Sequence, residues 1–485
     1  MGARTGAQYL EGLADRGREI WVEGERVDDV AAHPKLSGAA RSLAAYFDRQ
    51  NDHADLCLVH DPDLDEPVSV SHMVPRSKED LFVRHRGLVK LTEGSMGIMG
   101  RTPDYMNMKF SAFCAAPWVW AGEDNRNERG AANIVDLRRR LAGDDIALTH
   151  TIIQPNNDKR TDAKILDNKV TVRKVGETPD GIIVRGARVL ATLAPFADEQ
   201  AVYPALPLPP GADDYAVSFV IPLDTPGLKF WCRDSFSAPW SQRHDKPISA
   251  RYDEQDAFCV FDDVLVPWDR VLIDGDVDIY NSIRQTQYAI HMTTQSTIRA
   301  LTKLEFAYGL ATRMAEIIGD HSPATNDMLG EIACYVQTTR NAVELSIEQG
   351  WERERDGMWF PNGRCLDPMR ALLATWMPRV QEIMTLIGSH NLLTTPSASQ
   401  FDNPGDRPLI DETLFGANDV AADERSAVFR LAWDFIGSGL AGRGFLYERF
   451  YLTSATRNRQ TLHLALSDRQ RPAALVDEML ALARS

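Results

Sequence analysis

The hydrophobic pattern changes period twice along the 485 residues, and this change restricts the fold more than any single motif. Apolar side chains recur at helical spacing over residues 1–144 and again, in longer segments, over residues 275–485. Between them, residues 145–274 carry short β-branched runs separated by Gly, Pro and Asp. The spacing at which apolar residues recur distinguishes helices from strands. We therefore predict an N-terminal helical domain, a middle β domain and a C-terminal four-helix bundle with these boundaries.

The predicted elements begin and end at recognisable residues. Ser77 followed by Asp80 is typical of a helix N-cap, because the serine oxygen can accept orphan backbone N–H groups. Helices are predicted over 39–49, 77–92, 127–141, 279–319, 323–355, 368–390 and 419–437, and a hairpin over 19–27. Strands are predicted over 146–153, 169–173, 181–191, 215–221 and 258–266. Short strands joined by turns indicate a barrel or a sandwich rather than βαβ units.

Composition and charge exclude several classes of protein. The net charge of −16 argues against nucleic-acid and anionic membrane partners, which both need an excess of Lys and Arg. The six cysteines are widely spaced and form no CxxC pair, which fits a reducing compartment. No apolar run is long enough to cross a membrane and no secretory signal precedes the first helix, so we predict a cytoplasmic protein.

Local motifs for metals and nucleotides are absent or misplaced. No HxxxH, HExxH, Cys/His cluster, GxSxG or Walker A motif occurs. One GxGxxG spans Gly437–Gly442, but residues 427–433 before it are apolar at helical spacing. A dinucleotide-binding fold needs a strand there. We therefore expect these glycines to mark a bend or a close helix crossing.

Three patches carry residues suited to catalysis. Arg101 and Tyr105 follow a glycine-rich stretch and could hold a phenolate or carboxylate, although on chemistry alone a turn with a surface salt bridge is the plainer interpretation. His150 lies in a predicted strand that feeds an amide-rich loop; the alternative is an ordinary strand histidine. His291 lies within a long predicted helix, where a core or interface histidine is the plainer interpretation.

Several segments together resemble the family of oxygenase components of 4-hydroxyphenylacetate 3-monooxygenase, nearly from end to end. The motifs that carry the resemblance are Gly100–Tyr105, His150 with Pro155 and Asp158, Val264–Trp268, Tyr447–Phe450, Arg4–Leu10 and Gly181–Val184. The resemblance implies an acyl-CoA-dehydrogenase-like fold, mainly α with a central β-barrel, assembled as a homotetramer. It also implies that reduced FAD, supplied by a separate flavin reductase, reacts with O2 to a C4a-hydroperoxide that hydroxylates a small phenolic substrate ortho to its hydroxyl.

The family pattern also implies the site residues. Arg101, Tyr105 and His150 would contact the phenolic oxygen and the flavin, with Arg101 stabilising the phenolate, His150 handling the proton and Tyr105 orienting the ring. Ala205, Leu206 and His291 are further substrate candidates. The residues implied for flavin are His150, Thr151, Ile152, Asn156, Asn157, Asp158, Lys159, Thr192, Ser454, Ala455, Thr456 and Arg457.

This chain departs from the family pattern in one stretch, and two other classes remain as alternatives. Residues 202–208 are mostly apolar where relatives carry hydroxyl groups for the substrate's tail carboxylate, which favours a 4-hydroxyphenyl compound with a different tail. A flavin-dependent dehydrogenase or dehydratase acting on an acyl-CoA shares the fold, but residues 95–105 and 293–300 lack the cysteines of a dehydratase cluster. A non-catalytic binding homologue is the third possibility.

Overall fold

The computed structural model describes residues 2–14, 17–155, 157–158, 165–204, 206–466 and 470–484. Within these ranges, helices predominate before residue 144 and after residue 275, and strands lie mainly between them. No helix in the described ranges is long and apolar enough to span a bilayer. The division into three domains at 144 and 274 stays a prediction.

The helices of the described residues include four long ones near the C-terminal end. They are α1 (Gly6–Gly12), α2 (Ser37–Asp52), α3 (Ala54–Cys57), α4 (Lys78–Glu93), α5 (Pro103–Cys114), α6 (Pro117–Ala121), α7 (Glu128–Gly143), α8 (Val277–Ser282), α9 (Tyr288–Ile317), α10 (Pro323–Glu348), α11 (Gly363–Gly388), α12 (Asn391–Thr394), α13 (Arg407–Thr413), α14 (Ala422–Ile436), α15 (Gly439–Phe450), α16 (Ala455–Ala465) and α17 (Gln470–Leu482). Helices α9, α10, α11 and α14 share one apolar core.

The strands form two larger sheets and two hairpins. They are β1 (Glu19–Val22), β2 (Glu25–Arg26), β3 (Leu58–Asp61), β4 (Glu66–Ser69), β5 (Leu148–Thr151), β6 (Arg173–Thr178), β7 (Gly181–Thr192), β8 (Glu199–Val202), β9 (Val217–Pro222), β10 (Leu228–Cys232), β11 (Asp256–Pro267), β12 (Val271–Asp274), β13 (Trp351–Arg353) and β14 (Met358–Phe360). In the described residues one sheet has the order β2-β1-β10-β11-β7-β6 and the other the order β12-β9-β8-β5.

The predicted β-barrel is wrong for the described residues, because both large sheets are open. Strands β2 and β6 are the edges of one sheet, and β5 and β12 are the edges of the other. Their inner faces pack on each other through one core that includes Val184 of β7 and Phe219 of β9. The N-terminal hairpin, predicted correctly, adds β1 to the first sheet in parallel with β10. The middle strands therefore form two packed sheets that include a segment from outside residues 145–274.

Several predicted boundaries move. The helix expected over 279–319 is interrupted at Gln287, whose φ of 61° lies in the left-handed region, so α9 begins at Tyr288. The helix expected over 323–355 ends at Glu348, where the chain turns into the β13–β14 hairpin. The strand expected over 169–173 begins only at Arg173.

Two local predictions are confirmed by backbone geometry. The Ser77 hydroxyl accepts a hydrogen bond from the Asp80 N–H at 3.1 Å, and the Asp80 carboxylate accepts the Ser77 N–H in return, so α4 starts with a capping box. The glycines of Gly437–Gly442 lie at the junction of α14 and α15, with a helix rather than a strand before them. This motif is therefore a bend between helices.

Helix α5 is the element that positions the site. All of its 12 residues are buried, and it packs between α9 and the end of β5. Pro103 stands in its first turn, where a missing N–H costs nothing. Tyr105 and Lys109 are four residues apart on it and share one face.

Candidate active site

The loop before α5 is held in place from two sides. The Arg299 guanidinium donates to the Gly97 carbonyl at 2.9 Å, and the Glu254 carboxylate accepts the N–H groups of Gly100 at 2.9 Å and Arg101 at 3.0 Å. The Arg443 guanidinium lies 2.5 Å from Glu254 and neutralises it. Because these are charge-assisted hydrogen bonds in a buried setting, the backbone at Arg101 has little freedom.

The Arg101 side chain is a buried cation that forms no ion pair with a carboxylate of the described residues. Its guanidinium lies 3.9 Å from the centroid of the Tyr105 ring and donates to the Tyr447 hydroxyl at 2.6 Å. A cation held by neutral partners keeps most of its charge available to an anionic ligand. The pairing of Arg101 with Tyr105 expected from their spacing is therefore present.

His150 joins this pair. Its ring centroid is 5.5 Å from that of Tyr105 and 5.8 Å from that of Tyr203, so the imidazole lies between two phenol rings. Burial lowers the pKa of His150 well below its usual value, and the charges on Lys109 and Arg101 lower it further. The imidazole is thus neutral at pH 7, with one nitrogen free to accept a proton.

Two residues that the sequence reasoning missed complete the cluster. Lys109 donates a hydrogen bond from Nζ to the Tyr203 hydroxyl, and both side chains are buried. The signal that could have found Lys109 is its spacing of four residues from Tyr105 in a helix whose only other charged residue is Asp104. Tyr203 lies in the stretch that we described as mostly apolar, and nothing in its local sequence indicates its partner.

His291 is buried elsewhere. Its Nδ1 lies 2.6 Å from Nη2 of Arg84, and its ring packs on Phe360 with centroids 4.8 Å apart. Burial, and then the charges of Arg84 and Arg353, lower the pKa of His291 well below its usual value. Within the described parts of the chain these contacts do not join it to Arg101, Tyr105 or His150, so a substrate role for His291 stays a prediction.

The residues predicted for flavin fall in three groups. Thr149 donates to the carbonyl of Thr192 at 2.7 Å, so the end of β7 lies beside His150, Thr151 and Ile152. Asn157 and Asp158 follow this strand. Asn156 and Lys159, and the substrate candidate Ala205, lie outside the described residues. The second substrate candidate in that loop, Leu206, is exposed.

The third flavin group, Ser454–Arg457, forms the first turn of α16. The Ser454 hydroxyl accepts the Arg457 N–H at 3.3 Å, and Asn458 binds the carbonyl of Arg370 on α11. Ser454–Arg457 therefore lies against α11, and the described contacts do not link it directly to β5. Burial raises the pKa of Tyr105, and the charges of Arg101 and then Arg370 oppose this rise, so Arg370 on α11 lies within electrostatic range of Tyr105.

Unmet hydrogen bonds beside β5 fit a flavin. Arg188 donates from Nη1 to the Ile152 carbonyl at 3.0 Å, whereas its buried Nε has no partner among the described residues. Gln255 is fully buried next to Leu193, and both atoms of its amide lack a partner in the same residues. FAD offers carbonyl and phosphate acceptors, and its ring N–H groups and ribityl hydroxyls are donors. These side chains therefore match the needs of FAD, whereas the described residues hold no His/Cys/Asp/Glu group suited to a metal ion.

We expect Gly100→Ala to lower activity because the added methyl group collides with Tyr447, and not because the backbone at residue 100 is strained. A Cβ at residue 100 would stand 2.2 Å from the ring and hydroxyl of Tyr447, which holds Arg101. Tyr447 must move, and a shift of about 1 Å at Arg101 lowers the rate of catalysis by roughly 10- to 100-fold.

The matched control is Gly442→Ala, because no atom lies within 4 Å of a Cβ at residue 442. It should leave the rate unchanged and the helix slightly more stable. The measurement is the rate of substrate hydroxylation after reduced FAD and O2 are mixed with each variant. Equal rates for the two variants would show that Tyr447 does not position Arg101.

Known proteins match this chain over almost its whole length. Residues 5–273 match the family described as 4-hydroxyphenylacetate 3-hydroxylase N terminal, and residues 281–481 match the corresponding C terminal family. The 4-hydroxyphenylacetate 3-monooxygenase oxygenase component of Thermus thermophilus is 36% identical over 464 residues, which cover 95% of this chain and 94% of that protein.

Solved structures show the same relationship. A crystal structure of the oxygenase component of 4-hydroxyphenylacetate 3-monooxygenase complexed with FAD and 4-hydroxyphenylacetate has a TM-score of 0.91, 34% identity and coverage of 99% of this chain and 100% of that chain. An archaeal 4-hydroxybutyryl-CoA dehydratase from N. maritimus has a TM-score of 0.86 at 16% identity, covering 98% and 95%, and so shares the fold alone.

The fold, the site and these relatives define a flavin-dependent aromatic monooxygenase. Within that class the chain belongs to the 4-hydroxyphenylacetate 3-hydroxylase family, as the resemblance of its motifs implied. The acyl-CoA alternatives are not favoured.

Proposed function

We propose that this chain is the oxygenase component of a two-component system, and that it adds one oxygen atom from O2 ortho to the hydroxyl of a 4-hydroxyphenyl compound. The observation that carries the proposal is the buried Arg101 guanidinium, which no carboxylate of the described residues neutralises, at 3.9 Å from Tyr105 and next to a neutral His150. Such a site stabilises a phenolate, and a phenolate is a far better nucleophile than a phenol.

Each residue has one part in this proposal. His150 accepts the phenolic proton on its free ring nitrogen. Arg101 stabilises the resulting oxyanion, and Tyr105 packs against the substrate ring and orients it. Reduced FAD together with O2 supplies the electrophilic oxygen atom. Because the three side chains are buried, water has little access, which limits loss of the oxidant as H2O2.

The flavin would lie along β5 and the end of β7. Thr151 and Ile152 would contact it through the backbone, and Arg188 would donate from Nε. Thr192 already donates its hydroxyl to Asp256 at 2.7 Å, so it would offer only an acceptor. Asn157, Asp158 and the first turn of α16 would complete the site.

The substrate tail would enter beside residues 202–208. Leu208 is held there by paired hydrogen bonds with Asn281 at 2.8 and 2.9 Å, and the neighbouring Leu206 is exposed. This wall is apolar apart from Tyr203, whose hydroxyl is engaged by Lys109. It supports a substrate whose tail is longer or less charged than acetate.

The proposal extends to assembly and location. Several exposed apolar side chains lie on the last three helices, among them Leu446, Phe450, Leu464 and Met479. Burying them between subunits would stabilise the homotetramer that the family implies. A cytoplasmic setting, where a separate reductase supplies reduced FAD, suits the six free cysteines.

The test is a single turnover with labelled oxygen. Protein, anaerobically reduced FAD and a panel of 4-hydroxyphenyl compounds, including 4-hydroxyphenylacetate and compounds with neutral tails, are mixed with 18O2. We expect a catechol that carries one 18O atom, best from a compound with an uncharged tail. Oxidation of all the reduced FAD to FAD, with O2 reduced to H2O2 and no catechol formed from any phenol in the panel, would contradict the proposal.

A further inference from the structure

Lys109 is a buried lysine in the candidate active site. It is 1% exposed, lies one turn after Tyr105 in the fully buried helix α5, and forms no ion pair with a carboxylate of the described residues. Burial of an amine without an acidic partner is strongly unfavourable unless other groups satisfy it. The groups that contact Lys109 therefore indicate what it does.

The contacts of Lys109 are aromatic. Its Nζ donates to the Tyr203 hydroxyl and lies 4.4 Å from the centroid of that ring. The same nitrogen lies 4.8 Å from the ring of Tyr105 and 5.9 Å from that of Tyr288. Aromatic faces attract a cation within about 6 Å, so Lys109 holds Tyr105 and Tyr203 together.

Those two rings are the ones that flank His150. The imidazole is tilted by 31° to the Tyr105 ring and by 28° to the Tyr203 ring, with centroids 5.5 and 5.8 Å away. A residue that ties both rings therefore also fixes the plane of the imidazole between them. The distance from the imidazole of His150 to the hydroxyl oxygen of a bound phenolic substrate would depend on the same contacts of Lys109 with the two rings.

We infer that Lys109 is a positioning residue that holds His150 through Tyr203 and Tyr105, and whose positive charge keeps the imidazole neutral as the pH falls. The inference rests on the proposed function, in which His150 accepts the phenolic proton. Lys109 thereby becomes a further residue of the site, which neither the family motifs in the sequence nor the names of the relatives indicate.

The charged groups around His150 support the inferred effect of Lys109 on its protonation. In the described residues, the titratable groups that face His150 are Lys109 and Tyr105 on α5, Arg101 before it, and Tyr203 after β8. Burial, and then the charge of Arg101, lower the pKa of Lys109. Once the amine is protonated, its charge opposes formation of the imidazolium.

Two substitutions separate position from charge. Lys109→Met removes the amine but keeps an unbranched side chain, and Tyr203→Phe removes only the hydroxyl. We expect each to lower hydroxylation of the best phenol of the panel by roughly 10-fold or more. The double variant should lose less than the product of the two effects, because both break one contact.

The titration of His150 distinguishes an electrostatic role of Lys109 from a purely structural one, because loss of packing alone would leave the titration midpoint unchanged. Carbon-13 NMR of histidines labelled at Cε1, with the signal assigned by His150→Gln, gives its midpoint without substrate or flavin. We expect Lys109→Met to raise this midpoint by about one pH unit or more, because one opposing charge is lost. Tyr203→Phe should leave it in place.

The outcomes distinguish this inference from the proposed function. If His150→Gln hydroxylates as well as the unaltered protein, the proposed role of His150 fails whatever Lys109 does. If His150→Gln is inactive while Lys109→Met changes neither the rate nor the midpoint, the inference about Lys109 is overturned. Should Lys109→Met not fold, an unchanged rate in Tyr203→Phe overturns it as well.

Discussion

Replacing Arg101 by methionine should abolish nearly all coupled hydroxylation while leaving the fold intact. Methionine keeps much of the packing against Tyr105 but removes the guanidinium that lies 3.9 Å from that ring. Loss of one preorganised donor to a developing anion lowers the rate by about 100- to 1,000-fold. The Tyr447 hydroxyl, which accepts from Arg101 at 2.6 Å, would lose that partner as well.

The measurement compares catechol formed with H2O2 formed for each reduced FAD consumed. In Arg101→Met we expect H2O2 to account for almost all of the flavin, because the phenol is no longer activated. The matched control is Arg185→Met, since Arg185 is an exposed arginine paired with Asp263 at the surface. Unchanged coupling in Arg101→Met would mean that phenolate stabilisation lies elsewhere.

Replacing Glu448 by glutamine should cause the largest loss of stability among single changes near the site. The carboxylate accepts from Arg299 at 2.7 and 2.9 Å and from Lys303 at 2.9 Å, and Arg299 in turn holds the loop at Gly97. Glutamine leaves two buried positive charges without an anion. Breaking a buried ion pair in this way costs about 3–5 kcal/mol in the free energy of unfolding.

The pH dependence of this effect has a definite sign. Burial alone would raise the pKa of the Glu448 carboxyl, but Arg299 and Lys303 outweigh burial and lower this pKa from 4.5 to about 2. A carboxyl whose pKa is lower in the folded state stabilises the protein above its unfolded pKa, and this stability is lost as the pH falls. The difference between the unaltered protein and Glu448→Gln should therefore be full above pH 4.5 and shrink towards pH 2.

Urea unfolding followed by circular dichroism at several pH values measures both effects. Glu305→Gln is the matched control, because Glu305 forms an exposed pair with Arg340 at 2.8 Å. An exposed pair of this kind contributes at most about 1 kcal/mol. Equal losses for the two variants, or a loss in Glu448→Gln that does not depend on pH, would contradict the role given to the buried triad.

Local features were predicted well from the sequence because they depend on neighbours in the chain. The capping box at Ser77 needs only a residue three positions away, and the N-terminal hairpin needs only its turn. Tyr105 follows Arg101 by four residues at the start of α5, which is enough to bring the cation to the ring. The break at Gln287 was missed because apolar spacing continues across it.

The sheets and the full site depended on contacts between distant residues. Whether strands close into a barrel is decided by which edges pair, and here β1 from the N-terminal region pairs with β10. Periodicity carries no information about such partners. Motif resemblance suggested both His150 and His291, and only the packing of β5 against α5 places His150 beside Tyr105.

The sequence by itself thus determined that helices predominate at both ends with strands between them, the family, and the pair Arg101 and Tyr105, because these follow from local spacing or from motifs. It did not predict helix α5, which carries Tyr105, or the hairpins β3–β4 and β13–β14. The tertiary structure alone decided that the sheets stay open and that Glu254 holds the backbone of Arg101. It also placed Lys109 between the rings that flank His150. The physical reason is that buried charges and hydrogen bonds find partners by distance in space, which apolar spacing along the chain does not encode.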